Sequence, residues 1–188
     1  MRKTLLLLAV TALPAAALAA PSSYTVDPAH TYPHFAIDHL GFSTMHGRFN
    51  ATSGKLTVDL AGKTGSVDIK IDASSVDTGF QIRDDHLRSP DFLNAAEFPT
   101  ITYKSSKVVI HDNSSATVDG SLTIMGVSKP VQLAVDHIQC GPNPMNKKET
   151  CGFNATATIK RSDFGVNYAL PAVGDEMKIT IELEALKD

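Results

Sequence analysis

Apolar and polar residues alternate along most of the chain. In the segment His30–Leu40, Phe35 and Ile37 share one face, whereas His34 and Asp38 share the other. Alternation with a period of two is typical of β-strands that have one buried face. A short opening strand, Ser23–Val26, precedes this segment, and the same pattern recurs in Leu56–Leu60, Val67–Ile71, Ile101–Tyr103, Val118–Ile124, Val131–His137, Phe153–Ile159 and Met177–Leu183. The pattern therefore predicts an all-β domain.

Short turn sequences separate these strands, which favours antiparallel neighbours. They are Ala61–Gly65, His111–Ser115, Gly126–Lys129, Gly141–Thr150 and Pro171–Gly174. A sheet of about eight strands protects its edges by closing into a barrel or by packing as two sheets. We predict an up-and-down barrel, with a β-sandwich as the alternative. The small inward residues Gly120, Ala155 and Ala157 fit either a ligand cavity or tight packing.

The stretch from Gln81 to Pro99 interrupts the alternation with a helical pattern. Thr78, followed three residues later by Gln81, fits a capping box and predicts a helix over Gly79–Arg88. Pro90 at a first helical position predicts one or two further helical turns, up to Ala96. Pro99 ends them, because the residue before a proline is disfavoured in the α conformation.

The N-terminus has the organisation of a secretory signal peptide. Arg2 and Lys3 precede the apolar run Leu5–Val10, and Ala17-Leu18-Ala19 forms a small-residue cleavage site. We therefore predict a signal peptide over residues 1–19 and one domain over residues 20–188. A retained anchor is the alternative, but the apolar run is short for a membrane span, so stable membrane insertion is not expected.

Charge and cysteine content bear on two further points, nucleic-acid binding and disulfide formation. Of the 17 basic residues, 15 remain beside 20 acidic ones once Arg2 and Lys3 are removed, a formal charge of −5. No basic stripe remains for nucleic acid. Cys140 and Cys151 are the two cysteines, and export predicts that they form a disulfide. A redox pair is the alternative, but the spacing lacks the usual C-x-x-C.

Motifs along nearly the whole mature chain resemble the YceI-like family of bacterial periplasmic proteins, which is also described as polyisoprenoid-binding. The most specific motif is Arg83-Asp84-x-His86-Leu87-Arg88-Ser89-x-Asp91-Phe92-Leu93, with Phe98-Pro99 after it. The others are Asp27-Pro28-Ala29-His30, Phe35-x-Ile37-x-His39-Leu40-Gly41, Gly47-Arg48-Phe49, Ser75-Val76-Asp77-Thr78, Gly120-x-Leu122-Thr123-Ile124-x-Gly126-Val127-x-Lys129-Pro130-Val131 and Arg161-x-Asp163-Phe164-Gly165.

The resemblance implies an extended lipocalin-like antiparallel β-barrel with a short helical insert. Its interior would hold an isoprenoid or similar long-chain lipid, such as a quinone or polyprenyl compound, in the periplasm. The resemblance implies no enzymatic activity and no cofactor besides that bound lipid. It leaves homodimerisation open.

A set of apolar and histidine residues is expected to line or cap one end of the barrel and to contact the lipid. Apolar walls with a few polar groups suit a lipid pocket, although a plain hydrophobic core has the same composition. The expected set is Phe35, Ile37, His39, Leu40, Phe42, Met45, Phe49, Phe80, His86, Leu87, Phe92 and Phe98. His39 and His86 are interpreted as polar positions in or at the rim of the pocket, or as ordinary core or surface histidines.

The charged residues of the insert, Arg83, Asp84, Arg88 and Asp91, have two candidate roles. Asp84 and Arg88 are four apart with the acid first, and Arg88 and Asp91 are three apart, so ion pairs that brace the insert are favoured. The alternative is contact between one guanidinium and a polar head group.

Catalytic and metal-binding functions find little support in the sequence. We found no G-x-S-x-G, P-loop or G-x-G-x-x-G motif and no HExxH motif. His30 and His34 are four residues apart on a predicted strand, about 13 Å, which is too far to share one ion. No metal site is therefore predicted. An enzyme acting on a small lipid through His39 or His86, and a stress-response structural module with a filled barrel, are the alternative functions.

Overall fold

The computed structural model describes residues 21–112 and 114–188, in which eleven strands and one α-helix account for most of the chain. The predicted signal peptide lies outside these residues. The elements in chain order are β1 Ser22–Val26, β2 Tyr32–His39, β3 Ser43–Phe49, β4 Thr52–Asp59, β5 Thr64–Asp72, β6 Val76–Asp77, α1 Gln81–Arg88, β7 Thr100–Ile110, β8 Ala116–Ile124, β9 Val127–Pro142, β10 Glu149–Lys160 and β11 Val173–Lys187.

Eight antiparallel strands close into a barrel, which confirms the predicted fold class. Around the ring they follow the order β1-β4-β5-β7-β8-β9-β10-β11. The ring closes because the first strand pairs with β4 on one side and with the end of β11 on the other, for example Val26 opposite Ala185. Neighbours in the ring are antiparallel, and every strand of the ring has a partner on both sides, so the ring has no free edge.

A three-stranded extension leaves the ring at β11. The first half of β11 pairs with β2, β2 pairs with β3, and β3 pairs with the two-residue strand β6. Pro33 pairs with Ile181 of β11, whereas the β2–β3 pairing begins one residue later, at His34 and Arg48. Pro33 is therefore accommodated at the end of the β2–β3 ladder, where its missing amide costs no bond.

The strand β3 is absent from the alternation pattern because His46, Gly47 and Arg48 interrupt it. Gly47 has a structural reason: a β-carbon at this position would lie 2.3 Å from the Phe35 ring. The Phe35 side chain therefore packs directly over the β3 backbone, which only a glycine permits.

The insert contains one helix, and its predicted start was wrong. The helix α1 begins at Gln81, and Phe80 precedes it without a side-chain cap. Thr78 does not cap the helix as predicted. Instead, its backbone amide donates to Asp84 at 2.9 Å, and its hydroxyl donates to the same carboxylate oxygen. The carboxylate thus ties α1 to the residues before it.

The predicted second helical segment, Pro90–Ala96, was also wrong, because these residues form irregular turns. The amides of Leu93 and Ala95 donate to the carbonyls of Leu87 and Arg88 at the end of α1, at 3.0 and 2.9 Å. These bonds fold the chain back over the helix terminus and use carbonyls that a helix end leaves unpaired. The carbonyls at the end of α1 therefore find partners without a second helix, and the chain then enters β7.

The predicted disulfide is confirmed. Cys140 and Cys151 lie directly opposite each other on β9 and β10, with their Cα atoms 4.1 Å apart. Cys151 is fully buried and belongs to the main apolar cluster. No helix in the described ranges is long and apolar enough to cross a membrane.

Candidate functional site

The barrel encloses an elongated apolar cavity of about 480 Å³. This volume falls within the range of roughly 300 to 1,000 Å³ that is usual for small-molecule sites. Along β4 the lining extends from Thr52 to Val58, six residues or about 20 Å of extended chain. A cavity of this length suits a long, thin molecule better than a compact one.

Eight of the twelve predicted lipid-contact residues line this cavity. Most belong to β2, β3 and the helical insert, so the insert closes the same end of the barrel that the β2–β3 hairpin builds. They are Phe35, Ile37, His39, Met45, Phe49, His86, Leu87 and Phe92. The Phe35 and Phe49 rings lie 6.0 Å apart, which places both aromatic faces at this end.

Four predicted residues do not line the cavity, and their expected inward orientation was wrong. Leu40 and Phe42 lie in the β2–β3 turn and are 49% and 89% exposed, because the turn projects beyond the sheet. Phe80 precedes α1 and is 53% exposed, with the Arg83 guanidinium 5.8 Å from its ring centre. Phe98 packs instead against the β8–β9 turn, where a β-carbon on Gly126 would lie 3.1 Å from its ring.

The three small inward positions have two different explanations. Ala155 and Ala157 line the cavity, as expected if small side chains leave room for a ligand. Gly120 instead makes room for Tyr103, whose Cζ would lie 2.5 Å from a β-carbon there. The Tyr103 hydroxyl lies 3.0 Å from the carbonyls of Val118 and Val131, and burial raises its pKa to about 12. This residue therefore packs and braces the barrel wall.

The charged residues of the insert are paired differently from the prediction. Arg88 pairs with Asp85 at 2.8 Å rather than with Asp84, and it donates to the carbonyls of Ser74 and Val76. Asp91 pairs with His86 at 2.9 Å rather than with Arg88. The predicted pairs fail because Asp84 turns toward Thr78 and because the chain leaves the helical path at Ser89. The carbonyl bonds of Arg88 attach α1 to the segment before it.

Arg83 is the insert cation that reaches the cavity. Its guanidinium donates to the hydroxyl and the carbonyl of Thr78, at 2.7 and 2.9 Å. Within residues 21–112 and 114–188, no carboxylate oxygen lies within 4.0 Å of it. The positive charge at this end of the cavity is therefore not cancelled by a direct ion pair.

Three aromatic rings form a cluster in the lining of the cavity. His86, Phe92 and Tyr168 lie 5.0 to 5.2 Å apart in edge-to-face arrangements, and all three line the cavity. Tyr168 comes from the turn before β11 and was not predicted, because no periodic pattern marks that segment. The cluster joins the insert to this turn.

A family model described as the YceI-like domain matches residues 24–185. The chain belongs to the YceI-like family. A UPF0312 protein of Pseudomonas aeruginosa is 37% identical over 191 residues, which cover 100% of this chain and 99% of the relative.

Two solved structures are similar in fold to this YceI-like barrel. The YCEI protein of Campylobacter jejuni matches with a TM-score of 0.72 and 33% identity, covering 81% of this chain and 90% of that one. A polyisoprenoid binding domain from Saccharophagus degradans matches with a TM-score of 0.65, covering 89% and 99% of the two chains. Its identity is 17%, so it shows likeness of fold alone.

Arg161 of this YceI-like chain is a buried residue that the sequence did not predict for the site. Arg161 is 4% exposed and lines the cavity. Its guanidinium donates to the carbonyls of Val166, Tyr168, Val173 and Gly174 at 2.8 to 3.0 Å. It therefore holds the turn that carries Tyr168. The sequence signal that could have identified Arg161 is a charged residue directly after an alternating strand.

His30, considered above as a possible metal ligand, belongs to a small polar group near the C-terminal end of β11. His30, Asp27 and Glu184 each bring one potential ligand atom to within 4.8 Å of the others. A hydrogen bond of 2.9 Å between His30 Nδ1 and Asp27 accounts for the closest approach. It raises the pKa of His30 and, as the largest cause, lowers that of Asp27.

Proposed function

We propose that this protein is a periplasmic binding or carrier protein for an isoprenoid or a similar long-chain amphiphile, such as a quinone or polyprenyl compound. The observation that carries the proposal is the elongated cavity, whose lining is almost wholly apolar. Transfer of each methylene from water into such a cavity is favourable by about 0.8 kcal/mol. Affinity is then expected to rise with chain length until the cavity is full.

The polar groups at the insert end support an amphiphile over a plain hydrocarbon. Arg83 and His86 both line the cavity there, and Arg83 has no direct carboxylate partner among the described residues. A guanidinium binds oxygen-rich groups well because it presents several donors in one plane. The head group would therefore lie near the insert, and the tail would extend along β4 and β5.

Three further features support the cellular setting and the class of function. The predicted signal peptide and the disulfide both suit export to an oxidising compartment. The Saccharophagus degradans domain of the same fold is named for polyisoprenoid binding. In this setting the protein would hold its lipid chemically unchanged rather than catalyse a reaction.

Recovery of the bound lipid tests this function. The full chain is exported to a bacterial periplasm and purified without detergent, and its organic extract is analysed by mass spectrometry. We expect an isoprenoid or other long-chain lipid in near-stoichiometric amount. Repeatedly empty preparations that also fail to take up added isoprenoids would refute the proposal.

A matched pair of variants shows whether the lipid occupies the barrel. Ala155 is buried, lines the cavity and lies between Val135 and Ile181 in the sheet. Ala155→Phe places a ring in the cavity and should abolish lipid recovery. Thr156→Phe, one residue along on the exposed outer face, is the control and should retain the lipid. Equal recovery from both variants would locate the lipid elsewhere.

A further inference from the structure

Large apolar side chains that are exposed to solvent concentrate in three segments of the chain. Among the described residues there are eight such side chains, and five of them are Leu40 and Phe42 in the β2–β3 turn, Phe80 and Ile82 at the start of α1, and Tyr168 in the turn before β11. The remaining three, Leu60, Val127 and Met145, lie singly at three other turns. Single exposed apolar residues are usual on a protein surface, whereas a cluster of them often marks an interaction site.

The three segments lie beside one another and form one surface. The backbone amide of Leu40 donates to the carbonyl of Ala172 at 3.0 Å, which joins the β2–β3 turn to the turn before β11. Tyr168 belongs to that same turn, and its ring centre lies 5.1 Å from that of His86 in α1. Ile82 is one helical turn before His86 and therefore shares its side of α1. We call the surface formed by residues 40–42, 80–82 and 168–172 the apolar rim.

The cavity reaches the solvent at the apolar rim. A side chain that lines the cavity and is also exposed marks a place where the cavity opens. His86 and Tyr168 meet both conditions, and so do His39 and His46 on either side of the β2–β3 turn. A lipid chain that enters here would leave its head group at the insert end and extend its tail along β4 and β5.

The far end of the cavity differs in the surface that surrounds it. Thr64 and Ser66 are exposed lining residues there. The adjacent β4–β5 turn is flanked by the charged residues Asp59 and Lys63, and it contributes one exposed large apolar residue, Leu60. The apolar rim, in contrast, gathers five of them around its opening.

A lipid bilayer is the partner that suits the apolar rim. Segments 40–42 and 166–172 contain no charged residue, so their insertion among lipid head groups would desolvate no charge. Aromatic and leucine side chains, such as those of Leu40, Phe42 and Tyr168, are favoured at the boundary between head groups and acyl chains. A long-chain lipid resides in a bilayer, so a cavity opening that touches the bilayer spares the chain a passage through water.

We infer that the apolar rim docks on a lipid bilayer, with Phe42 inserted at the level of the head groups, and that lipid passes between the bilayer and the cavity through the opening beside Tyr168. The inference rests on the proposed function, because it assigns the source of the lipid and the loading end of the same cavity.

A first test measures docking without any cargo. The delipidated protein is mixed with dioleoylphosphatidylcholine vesicles, and the fraction that floats with them in a density gradient is measured. Phe42→Ser should lower the partition coefficient by about ten- to hundredfold, the worth of one buried phenylalanine side chain. Met145→Ser is the matched control, because Met145 is 90% exposed and Phe42 is 89% exposed, and it should partition like the wild type. Binding should persist in about 1 M NaCl, since it does not depend on charge.

A second test measures loading. Vesicles that contain geranylgeraniol are mixed with delipidated protein and removed at intervals, and the protein-bound geranylgeraniol is quantified by mass spectrometry. Phe42→Ser should load about tenfold more slowly than the wild type from vesicles. It should load at the wild-type rate from cyclodextrin, because Phe42 does not line the cavity. Leu60→Ser, at the far end, should load at the wild-type rate from both sources.

The outcomes separate the docking surface from the binding function. If the wild type loads from cyclodextrin but Phe42→Ser floats and loads from vesicles like the wild type, docking through the rim is refuted and the binding function stands. Slower loading of Leu60→Ser alone would place the entrance at the far end and overturn the inference. So would a wild-type dimer in light scattering that does not float and that Phe42→Ser converts to a monomer, because a second copy would then cover the rim. If the wild type loads from neither source, the binding function fails, and the loading surface fails with it.

Discussion

Replacement of Arg161 by methionine removes the buried guanidinium that holds the turn before β11. The substitution keeps an unbranched side chain of similar length but removes all five donors and the charge. Four carbonyls, those of Val166, Tyr168, Val173 and Gly174, then lose their partner. We expect a clear loss of stability together with loosening of the turn that contributes Tyr168 to the cavity.

The magnitude follows from the burial of those carbonyls. The bond to Val166 is fully buried and the other three are partly buried, so we assign about 2 kcal/mol to the first and about 1 kcal/mol to each of the others. Removal of a buried charge returns part of its desolvation cost, which leaves a net loss of about 4 kcal/mol. For a domain of this size the melting temperature should fall by about 8 to 16 °C.

Urea denaturation followed by circular dichroism measures the free energy of unfolding. Hydrogen exchange of the 166–174 amides measures how readily the turn opens. Arg88→Met is the control, because Arg88 also donates to two carbonyls but is more exposed than Arg161. Arg88→Met should lower the free energy of unfolding by about 1 kcal/mol and should leave exchange of the 166–174 amides unchanged. Equal losses for the two variants, or unchanged exchange in Arg161→Met, would refute the reasoning.

Three further predictions concern the disulfide, the barrel wall and pH. Replacing both half-cystines of the β9–β10 disulfide by alanine should lower the free energy of unfolding by about 3 kcal/mol, from the loop-entropy relation for an 11-residue separation; coincident urea midpoints for the two proteins under oxidising conditions would contradict this. Gly120→Ala should cost about 2 kcal/mol because its β-carbon meets the Tyr103 ring, and this loss should shrink in a Tyr103→Ala background; fully additive effects would exclude the contact. In NMR titration His30 should show a pKa above 6.5, which Asp27→Asn should lower. The raised pKa of His30 means that its contribution to stability is complete below pH 6.5 and is lost as the pH rises through the folded value. The lowered pKa of Asp27 means that its contribution is present above pH 3.8 and is lost as the pH falls through the folded value. A His30 pKa that is unaffected by Asp27→Asn would show that the pair does not form.

Local patterns in the sequence predicted the barrel strands, the presence and the end of the helix at Arg88, and the disulfide. Strands such as β10 and β11 alternate with a period of two because one face is buried, and burial of one face is visible in residue order alone. The alternation failed at β3, where Gly47 admits the Phe35 ring. It also failed to show which small inward residue faces the cavity, as Ala155 and Ala157 do, and which faces a side chain, as Gly120 does.

Tertiary structure alone decided where the cavity lies and which polar groups it leaves unpaired. The barrel closes through β1 and β11, which are the first and last strands in the sequence, so no local pattern specifies their register. The same long-range pairings bury Arg161 among carbonyls and leave the Thr52 hydroxyl without a partner among the described residues. Residue order determines which face of a strand is apolar, whereas hydrogen-bond satisfaction depends on which distant groups meet that face, and only the closed barrel determines this.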